Sequence, residues 1–337
     1  MTRNTFDYIL SKIKHRIEKQ DTHLRESIPA NMRLAVTLHY LAEGCSFNSI
    51  KYHWRIGKST VSMIIHETCN ALWDVLMPLY LKPPQTLDDW KGIAKGFEEH
   101  WNFPHCLGAI DGKHIRMQCP PAAGSEYYNY KEFHSLNLMA ACDANLKFTL
   151  IDVGQAGRWS NAGTMAIPGD EHIQGYPNAL SYCFVGDEAF PLKTWLVRPF
   201  PGRAITNQQR VYNYRLSRAR RTIENAFGVL SSRWRVLQRT MIGQPERVST
   251  IVRALCVLHN LLQSREPAHY MPTGYTNTDD ELGLWRNSGT ALDEVRQPAP
   301  RNSATYAIDM RNSFMQYFNC NSGRLDYQEH HVLHRTN

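Results

Sequence analysis

The chain has 337 residues, 42% of them hydrophobic and 20% charged, the make-up of a globular protein with room for two modest domains, or one large domain and a satellite. Mean hydropathy is −0.46, and no run of about 18 apolar residues is present to span a bilayer, so the sequence reads as soluble. A formal charge of +7 and a pI near 8.9 are moderately basic and suit a polyanionic partner.

The first twenty residues lack a continuous apolar core followed by small residues, so no secretory leader is expected. Eight cysteines are scattered without a CxxC pair, which points to a reducing compartment and away from a zinc module. Phe6, Ile9, Leu10 and Ile13 mark an amphipathic helix within residues 5–27. From Met32 a tighter pattern begins. One helix carries Leu34, Leu38 and Leu41 and is ended by Gly44. Ser46 caps a short second helix, and the turn Arg55, Ile56, Gly57 leads to a third with Val61, Ile64, Ile65, Thr68 and Leu72 on one face. Helix, short helix, glycine-bearing turn, helix is a helix-turn-helix pattern, which would present Lys58, Ser59, Ser62 and His66 to DNA. Such look-alikes are common in all-α segments. Pro78, Pro83 and Pro84 mark a boundary, and Asp88–Trp101 reads as one more helix.

Beyond it the period changes. Residues 106–118, 133–145 and 147–156 are three apolar runs read as adjacent strands of a meander, with Asn145 in the tightest turn. A loop and short helix are expected over Gly157–Ile167, a fourth strand over Ser181–Asp187, and a long helix after Arg215 with Ile223, Ala226, Phe227, Leu230 and Trp234 on its apolar face. Residues 263–304 are polar and read as a flexible linker; a last helix with Phe314, Tyr317 and Phe318 is expected to dock back on the core.

Strand, strand, strand, helix, strand, helix is the order of a ribonuclease H-like α/β domain, a mixed sheet flanked by helices. Asp111 lies in the first strand, Asp187 ends the fourth, and Glu224 sits on the long helix. Three hard carboxylates brought together suit Mg²⁺ or Mn²⁺ and two-metal phosphodiester cleavage. Taken singly, each acid has a plain reading: Asp111 as a turn former before Gly112, Asp187 as a helix cap, Glu224 as a partner of Arg220 or Arg221. Residues 210–239 hold eight arginines against one acid, Glu224, so Arg218, Arg220 and Arg221, with Lys113, are candidates for phosphate contact or for a solvated face.

Residues 109–121, 127–148, 185–203 and 213–237, with the AIDGKH, VGDEAF and RRTIENAFG motifs among them, resemble the PIF/Harbinger transposase-derived nucleases, a DDE superfamily, over nearly the whole chain. The resemblance implies a ribonuclease H-like nuclease over residues 105–262, an N-terminal all-α helix-turn-helix-like DNA-binding region over 1–84, a linker over 263–304 and a C-terminal helix and tail over 305–337. It implies Asp111, Asp187 and Glu224 as catalytic metal ligands and a divalent metal cofactor. It also implies DNA and a Myb/SANT-like DNA-binding protein as partners, self-association as a further option, and the nucleus, with the cytoplasm second, as location. One departure stands out: where the family shows an acid in a GR-x-S-D-G segment, this chain has Asn161, a fourth metal-site residue by the resemblance, which keeps an acceptor oxygen and loses the charge. An active nuclease is therefore weighed against a domesticated copy that binds DNA or a chromatin partner without cutting.

Overall fold

Apolar residues four apart start the chain's first helix. In this computed structural model, which describes residues 1–23, 26–121, 123–154, 166–202, 204–288, 291–295 and 303–334, α1 (Arg3–Ile17) buries Ile9, Ile13 and Ile17, and the Thr2 hydroxyl accepts the Thr5 N–H at its start. Next come α2 (Ala30–Glu43), α3 (Phe47–Trp54, capped by Ser46) and α4 (Lys58–Tyr80). Gly44 ends α2 at φ +63, and a Cβ there would strike the Arg235 carbonyl. The sequence pattern expects Pro78 to break the helix; instead it lies inside the last turn of α4, where it forgoes one backbone bond, that to the Asp74 carbonyl, and only two residues of helix follow it. A Thr86–Asp89 capping box opens α5 (Leu87–Trp101).

The strands are β1 (Cys106–Arg116), β2 (Ser135–Cys142), β3 (Phe148–Val153), β4 (Glu171–His172), β5 (Ala179–Leu180), β6 (Cys183–Val185) and β7 (Leu196–Val197). After them come α6 (Asn207–Arg233), α7 (Pro245–Arg265), α8 (Pro267–Tyr270), β8 (Asp293–Glu294), α9 (Thr305–Asn319) and α10 (Gln328–His334). The three expected meander strands, the fourth strand and the long helix all form. The main sheet runs β3-β2-β1-β6-β7. The β1–β2 and β2–β3 pairs are antiparallel, and β6 and β7 are parallel to β1. Along one edge of β1, β6 pairs as far as Ala109 and β8 pairs at Lys113 and His114. The loop and short helix expected over Gly157–Ile167 fall, as far as residue 165 and including Asn161, outside the described residues.

Helices cover both faces. Trp90 and Ala94 of α5 pack on Leu107, Ile110, Met139 and Phe184; α6 and α7 pack on Ala109, Leu138, Ala140, Val185 and Val197. A single apolar cluster runs from Ile9 through the sheet to Phe318, so the N-terminal helices share a core with the sheet. Asn260, 1% exposed, fastens this arrangement: its side chain accepts the Phe148 N–H and donates to the Phe148 and Tyr80 carbonyls. Phe314 and Phe318 of α9 pack on Phe103 as expected.

The stretch expected to be a flexible linker is anchored to the core at several of its described residues. Helix α7 extends into it to Arg265, and Asn225 of α6 exchanges hydrogen bonds with the Asn277 backbone while accepting the Trp285 indole N–H. Trp285 covers Gly228, where a Cβ would collide with the indole. The space that Gly228 leaves on α6, one turn after Glu224, is therefore filled by Trp285. Trp285→Ala should destabilise the fold by about 3 kcal/mol, the scale for emptying a buried aromatic site. A urea midpoint within experimental error of the parent's would show that the contact carries no weight.

Candidate metal and nuclease site

Strand β1 is buried along ten residues, and three of them are polar: Asp111 is 3% exposed, Lys113 7% and His114 5%. Alternation sends Asp111 and Lys113 to the face of Ala109, the side covered by α6. The Lys113 ammonium lies 2.8 Å from Asp111 Oδ2 and 5.8 Å above the Phe227 ring of α6. Asp111 Oδ1 accepts the Gly112 N–H at 2.7 Å.

Asp187 reaches the same place through strand register. Ala109 pairs with Val185 in parallel, and Asp111 and Asp187 each stand two residues further on. Burial pushes the Asp187 carboxyl above the usual carboxylate range; Arg220 pulls it down, while the charges of Asp111 and Glu294 push it up. Its Oδ1 accepts the Ala189 N–H at 3.0 Å. Glu224 stands on α6, one turn before Phe227, with its carboxylate 3.5 Å from the Arg220 guanidinium. Arg220 thus touches the field of both Asp187 and Glu224.

Residues 110–260 match the family model described as DDE superfamily endonuclease. The matched stretch is just under half of the chain and runs from β1 into α7. A protein of Arabidopsis thaliana named ALP1-like is 28% identical over 79% of this chain and 70% of its own length. Another from the same plant, named Antagonist of Like Heterochromatin Protein 1, is 26% identical over 77% of this chain and 70% of its own. The human protein named "Putative nuclease HARBI1" is 28% identical over 52% of this chain and 48% of its own. No solved structure is significantly similar.

DDE superfamily endonucleases generally use divalent metals, and the residues present fit one. The donors are all carboxylate oxygens, the hard ligands that Mg²⁺ and Mn²⁺ take. Two of them are close enough for one charge to raise the other's carboxyl, a repulsion that a cation relieves. As they stand, no three His, Cys, Asp or Glu side chains among the described residues close into a metal-holding group. Lys113 and Arg220 supply positive charge there instead.

The remaining expected sites divide. Lys58 and Ser59 are exposed at the start of α4, and the Ser62 hydroxyl, half-buried, accepts from Arg247 at 3.4 Å. Arg218 and Arg221, expected to meet phosphate, are buried and paired with Asp279 at 2.9 and 2.8 Å. Arg218 also donates to Asn102 and Tyr327. They hold α6 to the segments around it, because a buried guanidinium needs a counter-charge and several acceptors. Lys113 is likewise buried, against Asp111, and does not reach outward. Sequence reasoning missed Glu294, which β8 places opposite Lys113 at 3.8 Å. Two strand residues among polar neighbours give no periodic signal.

Proposed function

We propose that the chain is a metal-dependent DNA endonuclease of transposase-derived, Harbinger type, with Asp111, Asp187 and Glu224 as its metal-holding carboxylates. The observation that carries this is the placement of Asp111 and Asp187 two residues past a registered pair on adjacent parallel strands. The strand order β3-β2-β1-β6-β7, antiparallel on one side of β1 and parallel on the other, supports a ribonuclease H-like domain for the 105–262 region. Divalent ions bound there would activate water and stabilise the leaving oxygen of a phosphodiester. The chain's own part is positional. Burial on the central strand fixes the Asp111 carboxylate, and Arg220, half-buried between two acids, offers a cation to a phosphate drawn into the site.

DNA would be held in part by the helix-turn-helix-like region within residues 1–84, a reading supported by the short α3, its three-residue turn and the exposed start of α4. Lys58→Ala should lower the slope of log affinity against log salt by about one, the release expected for a single phosphate contact. Arg221→Ala should leave that slope alone, since its guanidinium is already held by Asp279. A slope unchanged by Lys58→Ala would remove α4 from the interface.

A second reading is favoured by Asn161 and by the relative named as an antagonist of a heterochromatin protein: a copy that binds DNA or a chromatin partner, such as a Myb/SANT-like protein, without cutting. A nuclear location goes with either. The deciding assay is Mn²⁺-dependent nicking of plasmid DNA by the unaltered chain beside Asn161→Asp. Nicking by the unaltered chain supports the endonuclease; nicking by Asn161→Asp alone supports the binder.

A further inference from the structure

Assigning Asp111 to a metal leaves Lys113 to be explained, since a lysine at 7% exposure on a central strand is rare without a purpose. Residues two apart on a strand share a face, and so do directly opposed residues of an antiparallel pair. Asp111, Lys113 and Glu294 therefore point to one side. The ammonium sits between the two carboxylates, 2.8 Å from Asp111 and 3.8 Å from Glu294. Their exposures differ in the direction that matters: the Asp111 side chain is 4% exposed and that of Glu294 57%. An isolated carboxylate as buried as Asp111 is strongly penalised, and the solvated Glu294 is not.

We infer that Lys113 is a stand-in cation, neutralising Asp111 while no metal is bound and moving to Glu294 when a divalent ion takes the Asp111 carboxylate. This rests on the metal-site reading above. Two positive charges on one buried carboxylate oxygen repel each other at short range, so metal entry at Asp111 Oδ2 favours displacing the ammonium. A lysine suits the task because its charge is a compact point on a flexible four-carbon stem, with no fork geometry to satisfy. Rotation about side-chain bonds is enough to exchange one partner for the other. Strand β8 is what puts the second partner within reach: its backbone is tied to β1 at Gly112, whose carbonyl accepts the Val295 N–H at 3.0 Å, and Tyr130 donates to the Glu294 carbonyl at 2.7 Å.

The test is the Mn²⁺ affinity of the full chain by titration calorimetry without DNA, for the unaltered protein, Lys113→Met, Glu294→Gln and the double variant, with Asp111→Asn as reference. Losing the competing ammonium should tighten Mn²⁺ by about tenfold in Lys113→Met, and losing its resting place should weaken it about threefold in Glu294→Gln. The double variant should match Lys113→Met, because Glu294 acts only through Lys113. Affinity in Lys113→Met that equals or falls below the unaltered protein's overturns the inference, as that is what a merely structural ion pair would give. So does a Glu294→Gln effect that persists undiminished without Lys113, which would make Glu294 a ligand itself. If the unaltered protein and Lys113→Met both bind no more Mn²⁺ than Asp111→Asn, the metal-site reading fails and this inference with it. Should Lys113→Met not fold, Lys113→Arg gives the comparison: a guanidinium fork grips Asp111 more firmly and should weaken Mn²⁺, and unchanged binding would count against displacement.

Discussion

Asp111→Asn should lower Mn²⁺-dependent nicking by about a thousandfold or more, the scale on which removing one group that stabilises developing charge acts. The change keeps the shape of the side chain and removes the anion proposed to hold metal on the central strand. DNA affinity should stay nearly the same, since Asp111 is buried and touches no outward surface. Stability should not. The Asp111–Lys113 pair is buried on both sides, at 4% and 9% side-chain exposure. Breaking such a pair by removing one partner leaves an uncompensated ion. We expect a loss of about 3 kcal/mol, the lower end of the usual range because Glu294 still faces the ammonium. Parallel nicking, DNA-binding and urea-unfolding measurements separate these effects. Nicking within tenfold of the parent, with binding intact, would take Asp111 out of the metal site.

The second large effect is on acid stability, through His259 of α7. Its Nε2–H donates to the Leu146 carbonyl at 2.8 Å and its Nδ1 accepts from the Tyr270 hydroxyl at 3.0 Å, a pattern that fixes the neutral tautomer in a fully buried site. Burial pushes the imidazole pKa down from 6.5 to about 4, against a smaller opposing pull from the Leu146 carbonyl. A histidine whose folded pKa is lowered binds fewer protons folded than unfolded between those two values. The stabilisation is therefore fully present above pH 6.5 and is lost as pH falls toward 4, by up to about 3 kcal/mol in all. Asp143, whose carboxyl is raised by burial, works in the opposite direction in acid, so the comparison must be internal. In His259→Gln an amide can donate to Leu146 and accept from Tyr270 but does not titrate. The parent should lose more stability than this variant between pH 7 and pH 4.5, and parallel curves would show that His259 carries no linkage.

Much of the fold was legible because short-range patterns decide it. Alternating or continuous apolar runs bounded by turn residues marked β1, β2, β3 and β6, and apolar spacing marked α4 and α6. The same runs placed Asp111 within one strand and Asp187 just beyond another. What failed were inferences from composition alone. The residues after 263 looked unanchored because they are polar, yet Asn277 and Trp285 are held by hydrogen bonds to Asn225, which an apolar count does not register. The arginines of α6 looked like a phosphate-binding surface because the acid that holds Arg218 and Arg221 is Asp279, about sixty residues away.

By itself, then, the sequence marked the four main strands and the long helix, one acid within a strand and one just past another, and the family resemblance, since these depend on backbone propensity, apolar period and long local motifs. Only the tertiary structure decided which charges meet. It set Lys113 on Asp111, buried Arg218 and Arg221 against Asp279, and brought Glu294 to the edge of β1 that β6 leaves free. The physical reason is that a buried charge is stable only beside its counter-charge, and the partner is chosen by packing across the chain rather than by spacing along it.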